Sequence, residues 1–419
     1  MIIGFDGKRA VNNMTGLGNY SRLVIEELGK RLRHDDALAG IDVHTPAPRH
    51  APADQGFGMY TSQPVKSEEV RGHRLYVYAP EMRRNPRLEP IHRLENVEFR
   101  FPPETGFKGS LWRTFGVTNN IAADRCALFH GLSNELPLNI RSSRVKSVVT
   151  IHDLIYRRLP YCYTPQDRLI YNFKYGRACR NADRIIAVSE CTKRDIIDLY
   201  QIPEEKIDVV YQGCNDIFRR DYPPRELQEV RQRLQLPERY IIQVGTVERR
   251  KNLELGIRAL TALPSDITLL SVGRDHHGYL RQMRRLAADL GVADRVIYLE
   301  QVDFIDLPAL YAMAEVSLYP SRYEGFGIPV IEALECGTPV VAATGSCLEE
   351  AGGPGALYVD PDDPRGMAQA LNDILGHSEK RTELAGDGKT YVRRFNTASM
   401  TDNILQVYRK TLSSQKVES

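Results

Sequence analysis

Short apolar runs rich in Val, Ile, Leu and Tyr alternate with longer amphipathic segments along most of this chain, and that alternation constrains the fold more than any other feature. Strand, helix and strand in succession make the unit of a parallel sheet covered by helices. Strand candidates in the front half are Ile2–Phe5, Leu75–Tyr78, Leu128–His130, Val145–Ile151 and Arg184–Ala187. The back half offers Tyr240–Val244, Thr268–Val272, Arg295–Tyr298, Val316–Leu318 and Pro339–Ala342. Each half can build its own doubly wound sheet, and 419 residues exceed what one ordinary core serves. The break is expected near 213–237, where Gly213, Pro223, Pro224 and Pro237 punctuate a charged segment. Such sheets bind ligands outside the carboxyl ends of their strands, so two facing sheets make a cleft. Stretches 46–73 and 80–118 lack a clear period and are expected to be loops or short irregular elements over that cleft.

Composition narrows the class. A formal charge of +2 is far from the basic balance of a dedicated nucleic-acid binder. Residues 1–221 hold 33 Lys and Arg against 27 Asp and Glu, and residues 222–419 hold 23 against 27; this mild asymmetry leaves contact with an anionic membrane open without requiring it. Seven scattered cysteines with no Cys-x-x-Cys pair fit free thiols in a reducing cytosol. Met1–Phe5 reads as a first strand and not as a leader, and no apolar run approaches the roughly 20 residues of a membrane span.

Four constellations could carry chemistry. Thr15-Gly16-Leu17-Gly18-Asn19-Tyr20 lies between the first strand and an amphipathic helix, Ser21 to Leu32; it lacks the third glycine of a dinucleotide fingerprint. Thr150-Ile151-His152-Asp153 ends a strand, where His152 could donate to a substrate hydroxyl or simply cap the strand. Gly245-Thr246-Val247-Glu248-Arg249-Arg250-Lys251-Asn252 puts three cations in a strand-to-helix connection, suited to a diphosphate or to solvent. Tyr323-Glu324-Gly325-Phe326-Gly327-Ile328-Pro329 leads into a helix expected from Pro329 to Gly337, with Glu332 in its first turn. Amides at such a helix start can hold an anion, and the two carboxylates can accept from hydroxyls. A further group, Trp112, Arg113, Tyr156, Arg157 and Arg158, suits either an anionic acceptor or ordinary packing with snorkelling arginines.

Together these segments resemble the retaining nucleotide-sugar glycosyltransferases of family four, in which two glutamates lie eight positions apart. The resemblance covers nearly the whole chain: Ile3-Gly4-Phe5-Asp6-Gly7-Lys8-Arg9, the Thr15–Tyr20 turn, Phe129-His130-Gly131, Ala182–Glu190 and, most specifically, Tyr319 through Val341. It implies the GT-B fold, two Rossmann-like domains facing across a cleft. Residues 1–220 would bind the acceptor and 221–395 the donor, while 396–419 would return a helix, about Thr397 to Thr411, to the front domain and end in a disordered tail.

By that resemblance Glu324 and His152 contact the donor sugar at the reacting carbon. Gly325, Phe326 and Gly327 offer amides to sugar and diphosphate, Lys251 and Arg250 neutralise the departing diphosphate, Gly16 and Gly18 border it, and Glu332 accepts from the ribose. Many relatives carry arginine at the position of Thr246, so Arg250 is expected to supply that charge. The implied activity is metal-independent, retaining transfer of a hexosyl group, mannosyl favoured, in polysaccharide or lipopolysaccharide biosynthesis. The co-substrate would be a GDP- or UDP-linked sugar with no further cofactor, and the acceptor a glycan or lipid-linked glycan. The scattered free thiols lead us to expect a cytoplasmic protein, with peripheral contact at the inner membrane face left open. A silent GT-B binding module and a GT-B epimerase or phosphorylase are the alternatives. Silent copies would be expected to lose Glu324, Lys251 or His152, and this chain keeps all three.

Overall fold

The computed structural model describes residues 1–34, 38, 72–82, 84–104, 108–276 and 278–413. The stretch expected to be a loop at 46–73 falls almost wholly outside these residues, as does the tail beyond 413. Among the described residues the chain builds two parallel sheets. The front sheet comprises β1 (Ile2–Asp6), β2 (Arg74–Tyr78), β3 (Val97–Arg100), β4 (Leu128–Gly131), β5 (Lys146–Ile151), β6 (Arg184–Ala187) and β7 (Ile207–Val209), in the order β3-β2-β1-β4-β5-β6-β7. The back sheet comprises β8 (Tyr240–Val244), β9 (Thr268–Val272), β10 (Val296–Leu299), β11 (Val316–Tyr319), β12 (Val340–Ala343) and β13 (Ala356–Val359), in the order β10-β9-β8-β11-β12-β13.

Strand order reverses between β1 and β4 in the front sheet and between β8 and β11 in the back. These are the points at which open sheets leave a crevice for ligands. Central strands β4, β11 and β12 are buried along their whole length, as the near-continuous apolar runs require. The stretch 80–118 is more regular than expected, because it contains β3 and the helical turns from Gly109 onward.

The helix Thr397–Ser413 buries Met400, Ile404, Leu405, Val407 and Tyr408. These side chains share one core with Ile25, Leu28, Val148 and Ile186 of the front domain, so the helix crosses back as expected. Each fully buried aliphatic side chain there is worth about 1.5–3 kcal/mol relative to exposure. The two passages of chain between the domains run together: the Cys214 amide donates to the Phe395 carbonyl at 2.8 Å, and the Gly213 amide approaches Met400 Sδ at 3.3 Å. Tyr211 stacks on Phe326 at 5.4 Å, and Phe395 meets both edge-on, fastening the back domain's glycine loop to the connector.

The front helix Glu190–Tyr200 is capped twice. Its own Ser189 accepts from the Thr192 amide, and Glu350 of the back domain accepts from the Glu190 and Cys191 amides at 2.7 and 2.8 Å. A carboxylate at a helix N-terminus meets both unpaired amides and the positive end of the dipole.

Candidate functional site

The back wall of the cleft grows from the carboxyl ends of β8 and β11. The chain leaves β8 through Gly245 and makes one 3-10 turn, Arg249–Lys251. It then passes through Asn252 in the left-handed region, φ 57°, before the helix Leu253–Leu260. Asn252 holds the turn by donating to the carbonyls of Pro320 and Pro361 at 3.2 and 2.8 Å. The turn aims two adjacent cations at one carboxylate oxygen: Glu324 Oε1 lies 2.6 Å from Arg250 Nη1 and 2.7 Å from Lys251 Nζ. Lys251 Nζ also donates to the Tyr319 hydroxyl, and Arg250 donates to the Tyr323 carbonyl and pairs with Glu248.

Glu324 is only 9% exposed, and burial works against its charge. Arg250 and then Lys251 outweigh that burial and hold the carboxyl at about 2. Burial lowers the pKa of Lys251 despite Glu324. The formal charges of Glu248, Arg250, Lys251 and Glu324 cancel, so each cation here is already paired with a carboxylate.

Glu332 is placed differently. Its helix runs from Ile328 to Glu335, which puts it in the second turn and not the first as expected. Burial pushes its carboxyl up to about 7, and the Tyr311 hydroxyl donates to its Oε2 at 3.4 Å. The two glutamates of the motif thus differ: one is locked as an anion, the other is poised between charge states at neutral pH.

Across the cleft, His152 follows β5. Its Nε2 lies 2.9 Å from the Leu132 carbonyl, which can only accept, so Nε2 carries the hydrogen and Nδ1 accepts from the Gln212 amide at 3.2 Å. Burial holds the imidazole neutral, with its pKa lowered to about 4. Behind it runs a buried polar chain: Tyr408 hydroxyl to His130 Nδ1 at 2.7 Å, His130 Nε2 to Thr150 Oγ1 at 2.8 Å, and Thr150 Oγ1 to the Tyr20 hydroxyl at 3.3 Å. The Tyr20 ring closes the chain edge-on against His152 at 4.6 Å. His130 is also held neutral by burial, at about 3.

The two walls touch at Gly325. A Cβ there would lie 1.9 Å from the His152 carbonyl oxygen, so only glycine fits. The Gly325 carbonyl accepts from Ser189 Oγ at 2.6 Å and Thr192 Oγ1 at 3.1 Å, and the Tyr323 hydroxyl donates to Asp195 across the same seam. Gly327, at φ 112°, precedes the Ile328–Glu335 helix, and Phe326 buries its ring in the Tyr211–Phe395 stack.

Gly16 and Gly18, expected in a turn ahead of a helix from Ser21 to Leu32, both lie in the first turn of the helix Gly16–His34, and their surroundings differ. Gly16 is exposed with open space above it, whereas a Cβ on Gly18 would strike the Asn13 carbonyl oxygen at 1.8 Å. The structure thus brings Glu324, Arg250 and Lys251 together at one oxygen, with His152 and Gly325 at the seam beside them. It divides the group around Trp112. Arg113 bridges Asp6 and Glu135, Trp112 donates to Asn120, and Arg158 pairs with Asp195 and Asp198. Arg113 is thus the centre of a buried ion-pair cluster, whereas Arg158 keeps part of its side chain in solvent. Sequence reasoning missed Tyr319 as the partner of Lys251, although it ends the strand that leads into the motif. It also missed Gln212, which no local pattern marks. Among the described residues no group of three or more His, Cys, Asp and Glu could hold a metal, and no helix is long and apolar enough to cross a membrane.

Comparison with known proteins agrees with the two-domain fold. Residues 225–391 match the family described as glycosyl transferases group 1, and residues 68–216 match the one described as Glycosyltransferase Family 4. The chain is 30% identical over 290 residues to O-antigen chain mannosyltransferase B of Escherichia coli, covering 67% of this chain and 74% of that protein. It is 28% identical over 271 residues to O-antigen chain mannosyltransferase RfbU of Salmonella typhimurium, covering 64% and 69%. The fold superposes on Anabaena Alr3699/HepE, solved in complex with UDP and glucose, with a TM-score of 0.72 at 19% identity, over 98% of this chain and all of that one.

Proposed function

Because this chain belongs to glycosyltransferase family 4, we propose that it transfers a hexosyl group, mannosyl favoured, from a nucleotide diphosphate sugar to a glycan or lipid-linked glycan during surface polysaccharide synthesis. The observation that carries this reading is the Glu324–Arg250–Lys251 cluster at the carboxyl edge of the back sheet, facing the His152 end of the front sheet. A buried carboxylate between two cations can exchange partners. When a diphosphate takes the ammonium of Lys251 and the guanidinium of Arg250, Glu324 is released to accept from donor-sugar hydroxyls. As the bond from anomeric carbon to phosphate oxygen breaks, charge grows on the diphosphate and those cations stabilise it. The acceptor oxygen bonds to the same face of the carbon and its proton passes to the departing phosphate, which gives retention without a metal. Glu332 receives the ribose hydroxyls, which favour its charged form. Gly16 leaves room for the diphosphate from the front.

The relatives' names favour mannose, and hence a GDP-linked donor, while the UDP in the Anabaena structure keeps UDP-sugars in view. Contact with the inner face of the membrane, and so a cytoplasmic site of action, is supported by exposed Leu169, Ile170 and Phe173 on the helix Pro165–Asn181 beside exposed Arg168 and Arg177. The test is a thermal-shift panel of GDP, UDP, ADP and their sugars, followed by product analysis with the stabilising donor. A selective shift and a glycosylated product are expected. No shift with any nucleotide would favour a silent module, and nucleotide release without a glycosylated product would favour an epimerase or phosphorylase.

A further inference from the structure

His152 has no ring nitrogen free for a substrate. Its Nε2–H is spent on the Leu132 carbonyl at 2.9 Å, and Nδ1 is filled by the Gln212 side chain at 3.2 Å. The amide orientation of Gln212 follows from the same logic: with Nε2–H fixed by a carbonyl, neutral Nδ1 can only accept, so the Gln212 NH2 faces it. Gln212 belongs to neither sheet. It lies in the connector between β7 and β8, one residue from Tyr211, which stacks on Phe326, and one from Gly213, which touches Met400 of the returning helix. A residue at the crossing of both interdomain passages moves when the domains move. Its side chain is half-buried and makes its contact with the one front-domain imidazole that the site presents.

Resting on the transfer reading above, we propose that Gln212 is a positioning residue that holds His152 Nδ1 as an acceptor in the unliganded protein and yields it to a donor-sugar hydroxyl when the domains adjust around the donor. The other anchors of the ring stay in place during this exchange: the Leu132 carbonyl fixes the tautomer and the Tyr20 edge fixes the plane. The charged or titratable groups around the ring are Arg9 on the helix Lys8–Asn12, His130 on β4 and Tyr20, with Asp153 next in the chain. Arg9 opposes a proton on His152, and burial opposes it more strongly, so the exchange takes place on a neutral ring.

Two variants and one spectrum test this. Nitrogen-15 spectra of the histidines in the unliganded wild type should show His152 with an unprotonated, hydrogen-bonded Nδ1 and a protonated Nε2. A protonated Nδ1 overturns the proposal whatever the catalytic outcome. Gln212→Met keeps the length and removes the competing donor. The KM for the nucleotide sugar should fall about fivefold, one hydrogen bond's worth. The affinity for the free nucleoside diphosphate should stay unchanged, and kcat should hold, because Gln212 has already left the ring in the sugar-bound enzyme and the Leu132 and Tyr20 anchors remain. Gln212→Glu can only accept, so it demands a proton on Nδ1; the acidic limb of the pH–rate profile should move to higher pH and kcat/KM should fall. Unchanged kinetics in both variants overturn the proposal. So does equal weakening of nucleotide and nucleotide sugar, the mark of mere structural damage. Failure of the wild type to bind or turn over any nucleotide sugar would refute the transfer reading instead, and the spectrum would still report whether Gln212 holds Nδ1.

Discussion

The two walls of the cleft bury polar groups in opposite ways. The back wall keeps its groups charged: Glu324 is held near 2 by two cations within 2.7 Å. The front wall keeps its groups neutral: His152 and His130 sit near 4 and 3, joined through hydroxyls and carbonyls and by a ring edge. Each solution suits a different task. Charges already set in the resting protein can exchange partners with an incoming anion without any change of protonation. Neutral hydrogen-bonded rings can orient hydroxyls without adding a charge of their own.

The contrast breaks most sharply at Glu324. Glu324→Ala should reduce transfer by about a hundredfold or more. It should also destabilise the fold by roughly 3 kcal/mol, because two buried cations lose their partner. Steady-state turnover and denaturant unfolding measure both, and wild-type turnover would remove Glu324 from the chemistry.

Acid should then separate the walls by window. Glu324 has a folded pKa of about 2 below its ordinary 4.5, so its contribution is complete above pH 4.5 and is lost as pH falls through 2, on the order of 3 kcal/mol in all. The histidines have folded values near 4 and 3 below 6.5, so theirs is complete above pH 6.5 and fades toward pH 4 and 3. Unfolding free energy measured from pH 7 to 3 should have a shallower slope between 6.5 and 4.5 in His152→Asn, with His130 retaining its share. In Glu324→Gln the slope should become shallower only below 4.5. Identical profiles would mean that the walls are not distinct.

Glu332 should show the reverse sign. Its folded pKa, raised to about 7, makes a contribution that is complete below pH 4.5 and lost as pH rises through 7. Glu332→Gln should therefore stabilise the unliganded protein at pH 8 by about 1–2 kcal/mol, read as a higher denaturation midpoint, while weakening nucleotide binding. The smallest effect belongs to Tyr408→Phe, which removes one hydroxyl from the front chain. A loss of about 1 kcal/mol is expected, with the nucleoside diphosphate Kd unaltered.

The same contrast explains what could be read from the sequence. Arg250 and Lys251 are neighbours in the chain, and Glu324 opens a motif, so the back wall was visible as local pattern. The front wall is assembled from Tyr20, His130, Thr150, Gln212 and Tyr408, five distant segments that only tertiary packing joins. The strands follow a similar rule. Central strands announced themselves as apolar runs, but β3, β7 and β13 were missed. All three are sheet edges of three or four residues with partly exposed positions. The two glycines of the front turn looked alike in sequence; only packing distinguishes Gly18, pressed on the Asn13 carbonyl, from Gly16, which is open.

The returning helix Thr397–Ser413 also sets an order of events during synthesis. The front domain emerges from the ribosome first, yet the face covered by Met400, Ile404 and Leu405 has no partner until the back domain has been made. The first domain to appear is thus the last to be finished, and its exposed apolar face is the point at which a nascent chain would need a chaperone. A fragment ending after β7 would carry the same exposed face permanently, which makes the front half a poor candidate for expression on its own.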